Sequence, residues 1–130
     1  MIVVDASVLA PALGDDGPDG DTARAALAGQ PLVAPELVDL EVASAFRRQF
    51  AAGELDARRA ELALTDLAEL PLRRIRHRFL VSRCWELRSN VTIYDAAYVV
   101  VAELFGAVLI TADRRLARAP GLRCRVELLE

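Results

Sequence analysis

The chain has 130 residues, 54% of them hydrophobic, so it is expected to bury its core as one domain over residues 1–130 without disulfide or metal staples. Its formal net charge is −3, and all sixteen basic residues are arginine. The absence of lysine excludes a lysine Schiff base and a Walker A phosphate loop, and a single histidine excludes a histidine-rich zinc site.

Short apolar runs alternate with helical patterns along the chain. The first run, Ile2–Val4, is β-branched and continuously apolar, as in a strand buried on both faces of a parallel sheet. The first half of the chain is predicted to continue with a helix from Ser7, a loop over 15–20, a helix over 21–28, a strand near 32–34 and two helices over 35–52 and 56–70. The second half is predicted to begin with a strand over 72–75 and a helix over 78–88, followed by a helix that is capped by Thr92 and ends at Phe105. The last predicted elements are a strand over 107–111, a capped short helix from Arg114 and an edge strand over 122–128.

Helices that recur between short strands predict a layered α/β domain with a short, mostly parallel central sheet. The N-terminus lacks the positive segment, long apolar stretch and cleavage site of a signal peptide, and the apolar runs are too short to cross a bilayer. We therefore expect a cytoplasmic protein, in which Cys84 and Cys124 are ordinary structural thiols.

Charge is distributed unevenly along the chain. Residues 1–70 carry a net charge of −8, and residues 71–130 carry +5. No acid lies between Glu69 and Glu86, a stretch that holds Arg73, Arg74, Arg76, Arg78 and Arg83. This stretch is a candidate RNA-contacting surface, a site for an acidic partner, or a solvated helix face.

Four carboxylates stand out by position. Asp5 ends the first strand, and Asp113 follows the strand over 107–111, so both are expected at the edge of the sheet where such folds bind ligands. Asp95 lies in the first turn of a helix. Glu41 has mostly apolar helical neighbours three and four positions away, which predicts an inward-facing carboxylate, whereas Asp39 on the same helix is expected to be merely solvated.

Each of these acids also has a structural interpretation, because Asp95 and Asp113 can cap helices and Asp5 can stabilise its own turn. Only Glu41 has no such role. Clustered carboxylates repel, by about 4 kcal/mol for two charges 4 Å apart at an effective dielectric near 20. A divalent cation removes that penalty, and Mg²⁺ or Mn²⁺ prefers oxygen ligands and supports phosphodiester hydrolysis.

Four segments together carry a family resemblance. These are Ile2-Val3-Val4-Asp5-Ala6-Ser7-Val8-Leu9, Glu41-Val42-Ala43-Ser44-Ala45, Thr92-Ile93-Tyr94-Asp95-Ala96-Ala97-Tyr98 and Leu109-Ile110-Thr111-Ala112-Asp113. In order and spacing they resemble the PIN-domain family, over nearly the whole chain.

The resemblance implies a three-layer α/β/α PIN-like fold. It also implies that Asp5, Glu41, Asp95 and Asp113 form a catalytic, metal-binding site with Ser7 and Thr111 as polar support. The implied activity is Mg²⁺- or Mn²⁺-dependent endonucleolytic cleavage of RNA by water. Small single-domain members resemble VapC toxins, which are held inactive by a VapB antitoxin and usually form homodimers.

Two other functions compete with this interpretation. Receiver domains and haloacid-dehalogenase-like phosphatases also place an aspartate after the first strand, but both need a lysine, and Ser7 stands where the phosphatase requires an aspartate. A non-catalytic module that binds RNA or an antitoxin is the stronger alternative, because a fold does not by itself imply turnover.

Overall fold

The computed structural model describes all residues from 1 to 130 and contains a five-stranded sheet. The strands are β1 Ile2–Val4, β2 Leu32–Pro35, β3 Leu72–Ile75, β4 Val108–Thr111 and β5 Val126–Leu128. Their order in the sheet is β3-β2-β1-β4-β5, and every neighbouring pair is parallel. The prediction of a mostly parallel sheet is therefore confirmed.

Seven α-helices connect and flank the strands. They are α1 Ala6–Gly14, α2 Pro18–Leu27, α3 Leu37–Ala51, α4 Ala57–Glu69, α5 Val81–Glu86, α6 Ile93–Phe105 and α7 Arg114–Ala117, with a 3₁₀ turn at His77–Phe79. Helix α6 packs against β1, β2, β4 and α5, whereas α1 packs with α2, α3 and α4. The predicted three-layer arrangement is confirmed, and 33 buried residues form one core cluster.

Helix starts were predicted well where a side chain caps the helix. Asp56 accepts a hydrogen bond from the backbone N–H of Arg59, and Thr92 accepts one from that of Asp95, so α4 and α6 begin as predicted. Helix α6 ends at Gly106, whose φ of 59° is the left-handed conformation that glycine adopts without steric cost.

Several predicted boundaries were wrong. Helix α2 already begins at Pro18, where the fixed φ of proline suits a first turn, so the loop predicted over 15–20 ends early. Pro35 completes β2 opposite Ile75, and α3 begins only at Leu37. Asp5, not Ser7, occupies the N-cap position of α1. The helix predicted over 78–88 is shorter, because the 3₁₀ turn takes its beginning.

None of the helices combines the length and apolar composition that crossing a bilayer requires.

Candidate functional site

A cavity of about 670 Å³ opens at the carboxyl edge of the sheet, beside the ends of β1 and β4. The chain places β2 and β3 on one side of β1, and β4 and β5 on the other. Open parallel sheets bind ligands at such reversals, because the loops after the two central strands diverge there. The four acids predicted from the sequence, Asp5, Glu41, Asp95 and Asp113, all line this cavity.

Asp5 is the most buried of the four acids, with 7% of its surface exposed. Its Oδ2 accepts hydrogen bonds from Ser7 Oγ at 2.6 Å and from Thr111 Oγ1 at 2.7 Å. The same two hydroxyl oxygens accept hydrogen bonds from the backbone N–H groups of Ala112 and Asp113, at 2.9 and 3.0 Å. The hydroxyls therefore join the chain after β4 to the carboxylate after β1, and they fix its orientation while its Oδ1 stays free of side-chain hydrogen bonds.

Glu41 reaches the cavity from α3, and its carboxylate is held by Tyr98 on α6, a core residue that does not itself line the cavity. The Tyr98 hydroxyl donates to Glu41 Oε1 at 2.6 Å, and the tyrosine is fully buried. Burial, followed by the hydrogen bond to Glu41, raises the pKa of Tyr98 far above its ordinary value, so the phenol remains a donor. No feature of the sequence indicated this contact, which joins residues 57 positions apart.

Asp95 and Asp113 both lie at helix starts and also line the cavity. Asp113 Oδ1 accepts the backbone N–H of Arg115 at 2.9 Å and so caps α7, as its structural interpretation predicted. Asp95 follows the cap residue Thr92 by three positions. A capping role and a place in the cavity therefore coexist in Asp113.

The carboxylates lie close enough to influence one another's ionisation. Burial raises the pKa of Glu41, the charges of Asp5 and Asp95 raise it further, and the Tyr98 hydroxyl partly opposes the shift. Burial likewise raises the pKa of Asp95, with additions from Asp5 and Asp113. Mutual repulsion of this kind is what an added cation relieves.

No three His, Cys, Asp or Glu side chains approach closely enough to hold a metal ion by protein ligands alone. The oxygen-only donors still fit Mg²⁺ or Mn²⁺, since such ions commonly take one or two carboxylates and complete their shell with waters and substrate phosphate oxygens. The residues therefore fit a hard divalent ion in an open, partly hydrated site.

The arginines that the sequence suggested as RNA contacts lie elsewhere. None of Arg73, Arg74, Arg76 and Arg78 lines the cavity. Arg74 donates from Nε and Nη2 to the two carboxylate oxygens of Asp39, at 2.7 and 2.9 Å. The prediction that Asp39 is merely solvated was therefore wrong, because Asp39 forms a bidentate ion pair that joins α3 to β3.

Other arginines of that stretch also have contacts within the molecule. The Arg73 guanidinium lies 5.0 Å from the ring centroid of Phe105, at cation–π distance. Arg83 forms an ion pair with Glu103 at 2.9 Å and another with Glu86, so it does not belong to a free positive surface. The sequence missed Arg48, the one arginine that lines the cavity.

The chain matches known proteins over most of its length. The sequence profile of the PIN domain family matches residues 2–122. Ribonuclease VapC1 of Mycobacterium tuberculosis is 40% identical over 128 residues, which cover 98% of this chain and 96% of that protein. Ribonuclease VapC9 of the same organism is 39% identical over 129 residues, which cover 99% and 98%.

Solved structures share the fold at lower sequence identity. Mycobacterium tuberculosis VapC20, described as a sarcin-ricin loop cleaving toxin, aligns with a TM-score of 0.69 at 19% identity and covers 89% of this chain and 92% of its own. PAE2754 from Pyrobaculum aerophilum aligns with a TM-score of 0.68 at 23% identity and covers 96% and 81%. At these identities the likeness concerns the fold.

Proposed function

Because the chain belongs to the PIN domain family, we propose that it is a metal-dependent endoribonuclease of the VapC type, the toxin of a toxin–antitoxin pair. The observation that carries the proposal is the convergence of Asp5, Glu41, Asp95 and Asp113 on one cavity at the carboxyl edge of the sheet. Ribonuclease is also the activity in the names of relatives that match nearly the full chain.

The reaction is hydrolysis of an RNA phosphodiester, in which a water oxygen attacks phosphorus and the bond to the leaving oxygen breaks. When bound, Mg²⁺ or Mn²⁺ polarises a phosphate oxygen and lowers the pKa of a water molecule. Asp5, oriented through Oδ2, offers Oδ1 as an ion ligand. Glu41, held by Tyr98 through Oε1, offers Oε2 to accept the proton that the attacking water loses.

The test is cleavage of single-stranded RNA with Mg²⁺, with Mn²⁺ and with EDTA. We expect cleavage only with the metals, and a loss on the order of 100-fold or more in Asp5→Asn and Asp95→Asn, the range for removing a group that acts at the reacting centre. Asp66→Asn is the matched control, because Asp66 is exposed on α4 and does not line the cavity.

Cleavage that persists in EDTA, or that Asp5→Asn leaves unchanged, would contradict the proposal. RNA binding without turnover in either metal would instead favour a non-catalytic binding module. If the chain does cleave RNA, mapping of cut sites on total RNA would identify the target, and action on cellular RNA would agree with the cytoplasmic location expected from the sequence.

A VapB-like antitoxin and a second copy of the chain are the proposed partners. Support comes from large apolar side chains left in solvent on α3 and α4: Leu40, Phe50 and Leu62 are 76%, 56% and 53% exposed. Light scattering would test the dimer, and co-purification with the product of an adjacent small gene would test the antitoxin. Contact between RNA and Arg73, Arg74, Arg76 and Arg78 stays a prediction.

A further inference from the structure

The cavity is too negative to receive a phosphodiester without positive groups beside it. Seven carboxylates line it, and Arg48 is the only cationic side chain among the lining residues. The acids are Asp5, Asp15, Asp19, Glu41, Asp95, Asp113 and Glu130. A cation among the four candidate catalytic acids neutralises only part of this charge, so nearby RNA phosphates need further positive contacts.

Arg48 supplies one such contact on the α3 side. Glu41, Ser44, Ala45 and Arg48 are spaced as i, i+3, i+4 and i+7, so they share one face of α3, and all four line the cavity. Arg48 Nη1 donates to Ser44 Oγ at 3.1 Å, and the side chain forms no ion pair. Its remaining guanidinium donors are therefore free. Arg47, its neighbour in sequence, lies off this face and does not line the cavity.

Arg115 does not line the cavity itself, but it lies on α7 next to Asp113, which does, and it supplies a second positive contact there. Its backbone N–H donates to Asp113 Oδ1, and its Nε lies 3.9 Å from the same oxygen, at the limit of an ion pair. The side chain is 96% exposed, so its guanidinium lies near Asp113 while its donors remain accessible to a ligand. Arg115 lies on α7 beside Asp113, whereas Arg48 lies on α3 with Glu41, so the two arginines are placed near different members of the acidic group.

We propose that Arg48 and Arg115 are phosphate-binding residues that hold the RNA backbone on the two sides of the scissile bond. The inference rests on the proposed endoribonuclease function. A guanidinium suits this task because its planar donors match two phosphate oxygens at once. Arg74 and Arg83 have the same chemistry, but their donors are committed to Asp39 and Glu103.

The experiment measures binding and turnover separately. Binding of a fluorescent single-stranded 12-mer RNA is followed by anisotropy with Mg²⁺ in the Asp95→Asn background, which prevents cleavage, and turnover is measured in the otherwise unchanged chain. Arg48→Ala and Arg115→Ala are compared with Arg47→Ala and with Arg58→Ala, because Arg58 is exposed on α4 and does not line this cavity. Arg48→Lys and Arg115→Lys keep the charge and lose the fork of donors.

Arg48→Ala and Arg115→Ala should each raise the Kd for RNA roughly tenfold, the scale expected when one charge-assisted hydrogen bond is removed. The slope of log K against log salt should fall by about 0.7 for each phosphate of a single strand that the variant no longer neutralises. Turnover should show a raised KM with kcat nearly unchanged, because these interactions exist in the ground state and the transition state alike. The lysine variants should recover the salt slope and part of the affinity. The two control variants should have the same Kd and salt slope as the protein in which all arginines are unchanged.

Equal Kd values and salt slopes in Arg48→Ala, Arg115→Ala and the two controls would overturn the inference, and so would a loss confined to kcat. Failure of the proposed function would look different, because the unmodified chain would then not cleave RNA in either metal. Selective loss of binding in Arg48→Ala and Arg115→Ala would in that case still support the two phosphate contacts.

Discussion

Replacing Tyr98 by phenylalanine isolates the one hydrogen bond that the protein gives to the carboxylate of Glu41. The tyrosine is fully buried and its hydroxyl donates to Glu41 Oε1 at 2.6 Å, so the substitution keeps the ring in the core and removes only the donor. Burial already raises the pKa of Glu41, and the hydroxyl opposes that shift. We therefore expect the pKa of Glu41 to rise further in Tyr98→Phe.

The magnitude follows from the kind of bond. A hydrogen bond to a charged group contributes about 1.5–3 kcal/mol, so Tyr98→Phe should lower the free energy of unfolding by about that amount at a pH where Glu41 is ionised. Because the bond favours the charged form, the loss in free energy of unfolding should be largest where Glu41 is ionised. It should shrink as the pH falls through the pKa of Glu41.

The assay is a carboxyl ¹³C NMR titration of Glu41 in EDTA, together with urea unfolding at several pH values. Tyr94→Phe is the matched control, since Tyr94 lies on the same helix and is 68% exposed. An unchanged titration of Glu41 in Tyr98→Phe, or an equal loss of stability at every pH, would refute the reasoning. Either result would mean that the phenol contributes packing and not electrostatic support.

Three further predictions concern the same network. Glu41→Gln should cleave no RNA, and at neutral pH without metal it should unfold at a higher temperature than the unmodified chain. The raised pKa of Glu41 means that its charged form lowers the stability of the folded protein once the pH exceeds that pKa. A lower Tm by calorimetry would contradict this. Thr111→Val should lower the free energy of unfolding in urea by about 1–3 kcal/mol, because Asp5 loses a donor and the N–H of Asp113 loses an acceptor; the exposed Thr65→Val should stay within about 0.5 kcal/mol. Mg²⁺ should raise the Tm of the unmodified chain by mass action and that of Asp5→Asn much less, and equal thermal shifts would exclude Asp5 as an ion ligand.

The placement of the acids could be predicted because it depends on local rules. Asp5 and Asp113 follow buried strands, and parallel strands bring their carboxyl ends to one edge. Glu41 has apolar neighbours one turn away, which identifies the inward face of its helix. Periodicity and strand direction are properties of a few consecutive residues, so the sequence was sufficient to bring these three side chains to the same edge.

The ion pairs that decide which arginines remain free to bind a ligand could not be predicted in this way. Arg74 and Asp39 are 35 positions apart and meet only because β3 pairs with β2 beside the start of α3. Arg83 meets Glu103 through the packing of α5 on α6. Charge runs along the sequence therefore overestimated the free positive surface near residues 73–83, and they gave no signal of Arg48, which lies in the acidic half of the chain.

Asp5 and Glu41 are oriented by neutral donors and not by salt bridges. Ser7, Thr111 and Tyr98 hold Asp5 and Glu41 without neutralising them. A basic partner at the same positions would have lowered the pKa values and relieved the repulsion, but it would also have removed the reason for a cation to bind. The hydroxyl groups orient the carboxylates and leave their negative charge in place. The protein is therefore less stable without metal, but the same charge gives it affinity for a divalent ion.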